Sequence, residues 1–193
     1  MPFHSFTKDE EGWENLEERE AYASPYIQVR ELKVRTPTRP EGVEWTVVHR
    51  KAACVVVPVL ANGDFIIIRQ ERVPLRGAMW EFPAGQIEEA GDLFANGIRE
   101  MREETGYMPA PEAKITSLGL FFTSAGMTDE VSHLMHVKPV VPSPDGPQHD
   151  ADEAILETRI VSPATLRKMI ADGELYDANS LAAFARMVAM GLL

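Results

Sequence analysis

Residues 99–106 read Arg-Glu-Met-Arg-Glu-Glu-Thr-Gly, and this segment constrains the fold more than any other. From Asp92 to Thr105 the spacing of Leu93, Phe94, Gly97, Ile98 and Met101 predicts a helix, and Gly106 suits the position just past its end. At about 100° per residue, Glu103 lies about 60° to one side of Glu100 and Glu104 about 40° to the other. Three carboxylates then share one arc, with Met101 and Ile98 expected on the opposite, buried face. Like charges at these spacings cost a helix about 0.2–0.5 kcal/mol per pair. The helix dipole also disfavours anions in the last turn. Such an arrangement gains nothing in stability unless a cation neutralises it. The alternative is a solvated Glu-rich surface on which Arg99 pairs with Glu103.

The rest of the charge follows the same pattern. The net charge is −11, and two stretches carry all but one unit of it. Residues 81–106 hold seven carboxylates against Arg99 and Arg102, and residues 145–157 hold five against no Lys or Arg. Clusters of this kind suit a hard divalent cation, which takes oxygen ligands. They exclude a general nucleic-acid binder, which needs a basic face, and an anionic membrane surface. At 193 residues and 45% hydrophobic, the chain is one domain with a small extension and needs no disulfide or structural metal to fold. Its one cysteine, Cys54, sits in an apolar run and reads as a core residue. That run, residues 52–61, contains Pro58 and is far short of a bilayer span. The first residues show no basic segment followed by an apolar one, so the expected location is cytoplasmic.

Residues 1–24 are expected to form a short helix or irregular arm. Strands are expected over 26–35, 43–50, 52–60 and 65–70, with breaks at Thr36-Pro37 and Arg39-Pro40. Asn62-Gly63 between two β runs predicts a hairpin with positive φ at both residues. Further strands are expected over 118–123, 132–141 and 155–161. Ser162-Pro163 opens a helix that Gly173 stops, and a last helix runs over about 180–190. Short turns join most neighbouring strands, so the sheet is expected to be mixed.

Gly85 lies fourteen residues before Arg99. Gly85, Arg99, Glu100, Met101, Glu103, Glu104, Gly106 and Tyr107 fall on the box of the Nudix hydrolase family, which the chain resembles. One position departs: the box's first Glu is Gly91 here, with Asp92 beside it and Glu88 and Glu89 just before, so Asp92 is expected to cap the helix instead. Residues 80–85 (Trp-Glu-Phe-Pro-Ala-Gly) and 69–74 (Arg-Gln-Glu-Arg-Val-Pro) are similar to segments of the ADP-ribose pyrophosphatases and related nucleoside diphosphate sugar hydrolases. So is the loop 124–130, although Ala125 replaces the proline often used as an ADP-ribose marker.

The resemblance implies an α/β fold, a Nudix α/β/α sandwich with a mixed sheet and an N-terminal β-rich extension. It divides the chain into an extension, 1–45, and a hydrolase domain, 46–193, and implies a homodimer. The implied reaction is metal-dependent hydrolysis of the pyrophosphate of ADP-ribose or a related nucleoside diphosphate sugar. Glu100, Glu103, Glu104 and the Ala84 carbonyl are the implied ligands of Mg²⁺, with Mn²⁺ as the alternative ion. Glu153 or Asp152, in the late acidic loop, is the implied base toward water, with Glu103 and Glu130 next. Arg99 is expected to be structural. Arg72 and Glu81 are substrate-side candidates, or else a surface or core pair. His133 and His136 are expected on opposite sides of a strand. Met187 and Met190 read as core or dimer packing. Tyr22, Tyr26 and Ile27 are weaker candidates for stacking on a base. A non-catalytic nucleotide sensor and an interaction protein are the competing readings.

Overall fold

The structure is a computed structural model and describes residues 11–87, 92–149 and 154–193. By its internal contacts the chain divides into two units, Met1–Ala52 with Phe122–Val131, and Ala53–Phe121 with Ser132–Leu193.

The first unit is built on an antiparallel sheet of β1 (Glu14–Ala23), β2 (Ile27–Thr36) and β3 (Arg39–Arg50), in that order. The expected helix or irregular arm is therefore a strand over 14–23. The sequence there is rich in helix formers, but its charges find partners across the ladder. Glu14 pairs with Arg35, Glu17 with Lys33, Glu18 with Arg30 and Arg19 with Glu31. Cross-strand pairs of this kind set strand preference more than intrinsic propensity does. Pro40, expected as a breaker, lies inside β3, an edge strand, where a missing N–H is tolerated. Residues 122–131 are fastened to β3. Val48 N–H donates to the Met127 carbonyl at 2.9 Å, Trp45 Nε1 to the Gly126 carbonyl at 3.0 Å, and His49 Nδ1 lies 2.6 Å from Asp129 Oδ2.

The second unit has β4 (Ala53–Pro58), β5 (Phe65–Arg72), β6 (Gly77–Glu81), β7 (Ala84–Gln86), α1 (Leu93–Thr105), β8 (Tyr107–Phe122), β9 (Val131–Pro142), β10 (Ile155–Val161), α2 (Pro163–Ala171) and α3 (Ala178–Ala189), two of these strands ending just inside the first unit. One sheet runs β7-β4-β9-β8 and the other β10-β5-β6. β4 is parallel to β9 and antiparallel to β7, so the sheet is mixed as expected. Side chains alternate across it. Cys54 and Val56 of β4 and Met135 and Val137 of β9 pack with Met101 of α1. Val55, Val57 and Leu134 face the other way, toward Leu166 and Met169 of α2 and Ala183 and Met187 of α3. This is the α/β/α arrangement. Met187 is core, whereas Met190 is exposed. Among the described residues no helix is long and apolar enough to cross a membrane.

Two expectations change. Asn62-Gly63 does turn the chain, closing the antiparallel bridge Val59–Phe65 with Leu60 N–H donating to the Asp64 carbonyl at 2.8 Å, but β4 and β5 themselves enter different sheets. Gly63 has φ 93°, while Asn62 does not adopt positive φ. Its Oδ1 accepts from Asp64 N–H at 3.1 Å, a side-chain turn that replaces the expected geometry. The strand expected over 118–123 begins much earlier, at Tyr107, and passes through Pro109 and Pro111. It lies at the sheet edge, where proline is admitted. The last two helices hold, capped by Ser162 and Asp177.

α1 comes close to the sheet because Gly97 has no side chain. A Cβ there would sit 2.7 Å from Cys54 Sγ and 3.0 Å from Met135 Sδ. Gly97→Ala is expected to cost about 1–3 kcal/mol of stability by overpacking. Cys54→Ala in the same chain should restore part of the loss, and urea denaturation of the four proteins in that cycle measures the coupling.

Candidate active site

α1 is pinned at both ends. Asp92 Oδ1 accepts from the N–H groups of Phe94 and Ala95 at 2.8 and 2.9 Å, the expected N-cap. Glu88, Glu89 and Gly91 lie outside the described residues. At the other end Gly106, with φ 73°, donates its N–H to the Arg102 carbonyl.

Between these ends the carboxylate arc is placed differently from expectation. Glu100 and Glu104 are buried, Glu104 almost completely. They belong to the inward stripe with Gly97, Met101 and Thr105, while Ile98 is only half-buried and Phe94 is exposed. The wheel angles allow this: Met101 lies about 100° from Glu100, and the buried arc is wide enough to include both. What makes it tolerable is β7. Ala84 N–H donates to Glu104 Oε2 at 2.9 Å. Gly85 leaves the space that Glu100 fills, for a Cβ there would fall 2.0 Å from Glu100 Cδ. Arg99, as expected, pairs within the box. It donates to Glu100 Oε1 and to Glu103 Oε2, each at 2.6 Å. Burial lowers its pKa, but the two carboxylates outweigh this and raise it.

The structure also joins Arg72 and Glu81, with Arg72 Nε 3.2 Å from Glu81 Oε2. Glu81 is 2% exposed. Burial pushes its carboxyl up to about 7; the Arg72 guanidinium opposes the shift and Asp177 adds to it. Arg72 lines a cavity of about 340 Å³ with Glu71, Val73 and Arg76. Next to Glu81, Phe82 N–H donates to Ser180 Oγ at 2.8 Å, and that hydroxyl is bonded to Asp177.

The loop after β9 returns to the end of α1. Gln148 N–H donates to the Glu103 carbonyl at 2.8 Å, His149 Nε2 lies 3.1 Å from the Glu104 carbonyl, and Ser143 N–H donates to the Gly106 carbonyl at 2.7 Å. Nothing in the charge pattern pointed to this fastening. Gly97 inside a helix was a readable signal of close packing, because glycine there costs about 1 kcal/mol relative to alanine. Asp152 and Glu153 lie outside the described residues. Glu130 belongs to the first unit, where Arg50 pairs with it at 3.1 Å and Thr123 Oγ1 donates to it at 2.8 Å. His133 and His136 are on opposite faces of β9 by alternation, and burial lowers both pKa values, with Lys138 and Lys114 contributing at His136. Cys54 is a core residue whose thiol burial pushes up to about 12.

Among the described residues no three His, Cys, Asp or Glu side chains already form an ion cage. The donor set of α1 nonetheless fits a hard divalent cation. It is all oxygen, it gathers three carboxylates in one turn and a half of helix, and the Arg99 guanidinium already supplies a positive charge between Glu100 and Glu103.

The sequence model of the NUDIX domain matches residues 48–184. The chain is 31% identical over 134 residues to the ADP-ribose pyrophosphatase of Bacillus subtilis strain 168, covering 69% of this chain and 70% of that one. It is 28% identical over 137 residues to the methanol dehydrogenase activator of Bacillus methanolicus, covering 71% and 72%. A crystal structure of an ADP compounds hydrolase superposes with a TM-score of 0.76 at 16% identity, over 97% of this chain and 100% of that one, which shows the shared fold. The chain belongs to the Nudix family, as a pyrophosphatase related to the ADP-ribose pyrophosphatases.

Glu81 gives a pH dependence whose sign is fixed. Its folded pKa lies above the 4.5 of the free group. The native state therefore holds the proton more tightly, and the stability this gives is present below about pH 4.5 and lost as the pH rises through about 7. Glu81→Gln should be more stable than the wild type at pH 8, by about 1–3 kcal/mol relative to the same comparison at pH 5. Urea denaturation at the two pH values measures the difference.

Proposed function

We propose that the chain hydrolyses the pyrophosphate of a nucleoside diphosphate sugar of the ADP-ribose type, releasing a nucleoside monophosphate and a sugar phosphate. The observation that carries this reading is the seating of Glu100 and Glu104, two carboxylates buried on one helix face against a strand whose glycine makes room for Glu100 and whose Ala84 N–H holds Glu104. A stable core has no use for that pair, whereas a cation-dependent phosphoryl hydrolase does. The relatives named for ADP-ribose and ADP compounds supply the substrate class.

On this reading Glu100, Glu103 and Glu104, with the Ala84 carbonyl, hold Mg²⁺, and Mn²⁺ is the alternative ion. When bound, such an ion would offset the charge of the two phosphates and acidify water. The chain's own residues do the rest. Ala84 N–H fixes one oxygen of Glu104, which orients the other. Arg99 holds Glu100 and Glu103 against mutual repulsion. Arg72, paired with Glu81, presents a guanidinium to the anionic substrate. Glu153 or Asp152 takes the proton from the water that attacks phosphorus, and the bridging P–O bond breaks toward the leaving phosphate. Ala125, where the resembled loop has proline, supports a substrate range wider than ADP-ribose, including GDP-mannose. Residues 1–45 are the extension and 46–193 the hydrolase domain. The three-stranded sheet of the first unit, exposed on β1 almost throughout, is the surface we assign to a homodimer. We place the protein in the cytoplasm, in keeping with nucleotide substrates and a buried reduced thiol. Retention of all three α1 carboxylates favours this enzyme over a nucleotide sensor.

Glu104→Gln keeps an acceptor for Ala84 N–H, so the fold should stand while kcat falls more than about a hundredfold for release of the monophosphate in Mg²⁺. Turnover within threefold of wild type would remove the assignment. In the same assay, kcat/KM for ADP-ribose and GDP-mannose should differ by less than about a thousandfold.

A further inference from the structure

An α-helix leaves its last carbonyls without partners inside the helix, and they are usually met by water or a short turn. In α1 the carbonyls of Glu103 and Glu104 are met by protein, and by one segment. The loop of residues 143–149 supplies Gln148 N–H to the Glu103 carbonyl, the His149 ring to the Glu104 carbonyl and Ser143 N–H to the Gly106 carbonyl. The closeness is tight as well as polar. A Cβ on Gly106 would lie 2.8 Å from Pro147 Cδ and 2.9 Å from Pro147 N. The two peptides clasped by Gln148 and His149 are those of Glu103 and Glu104. Their side chains are two of the three carboxylates at the centre of the site.

We propose that His149 is a positioning residue for the carboxylates of α1: its ring nitrogen holds the Glu104 peptide, and through it the last turn of the helix, at the place where the ion is bound. A carbonyl oxygen only accepts, so Nε2 carries the hydrogen in this contact. His149 is exposed as a residue and touches no substrate in this role. Its effect passes through Glu104. Small errors of position matter here because metal ligation and attack on phosphorus both depend on carboxylate placement within fractions of an ångström. The inference deepens the proposed function and rests on it for the kinetic part of the test. The contact itself is made within the chain and needs no ion or substrate.

The test uses the full chain with His149→Ala and His149→Gln, since the glutamine amide reaches about as far as Nε2 and can donate to the same carbonyl. His149→Ala should lower kcat about fivefold to tenfold and raise the Mn²⁺ concentration for half-saturation severalfold. KM for the nucleoside diphosphate sugar should stay within about twofold. His149→Gln should recover most of both losses. Mn²⁺ binding followed by electron paramagnetic resonance, without substrate, should show the same order of affinities. In the metal-free protein, exchange of the Gln148 amide should speed up in His149→Ala and return toward wild type in His149→Gln. If His149→Ala keeps wild-type Mn²⁺ affinity and kcat, or if His149→Gln behaves like His149→Ala, the positioning role is overturned. If the wild type hydrolyses no nucleoside diphosphate sugar, the functional reading fails instead, and the exchange and Mn²⁺ measurements still decide the role of His149.

Discussion

Everything in the site depends on two carboxylates being held where carboxylates do not ordinarily go. Glu100 and Glu104 are buried one turn apart on a helix face that also carries Met101. Burying an ionised carboxylate costs several kcal/mol unless it is hydrogen-bonded or paired. The fold meets this locally. A backbone N–H from Ala84 reaches Glu104, the missing side chain of Gly85 admits Glu100, and Arg99 lies across Glu100 and Glu103. The strand β7 is only three residues long, yet it provides two of these three conditions. Its own position is set by antiparallel pairing with β4, so the carboxylate face of the helix inherits the register of the central sheet.

Much of this was legible in the sequence because spacing carries it. The Arg-Glu and Glu-Glu pairs at helical intervals, Gly85 upstream, the Asp92 cap and the Ser162-Pro163 start all describe local chemistry, and each appears where the residues placed it. What failed was long-range. The arc of carboxylates was expected opposite Met101, because a wheel cannot tell which flank of an apolar stripe is covered when the covering strand has a glycine. Residues 14–23 look helical until Arg30, Lys33 and Arg35 are known to lie across from them. The turn at Asn62-Gly63 closes an antiparallel pair only at its base, since the separation of β4 and β5 into two sheets is a property of the whole unit. The clasp by residues 143–149 uses two backbone N–H groups and one ring, and backbone donors leave no mark on composition.

The two units also handle charge by different means. In the β1–β2–β3 sheet, opposite charges face each other across the ladder in exposed pairs, each worth little alone and screened by salt. In α1, like charges are concentrated and then constrained by neighbours. The first arrangement is what a surface strand needs in order to remain a strand in water. The second crowds unfavourable interactions into one helix turn, where a divalent ion, on the proposed reading, would relieve them.

The one sulfhydryl of the chain is sealed beneath α1. Cys54 touches the position of Gly97 and is 1% exposed, and burial pushes its thiol up to about 12. Thiol reagents attack the thiolate, which this residue does not form while the helix is seated. The thiol is thus shielded in the native form, and its reactivity toward an alkylating reagent becomes a clock for the helix lifting off the sheet. Because that helix carries the carboxylates, the natural cysteine reports on the intactness of the site without any label being introduced.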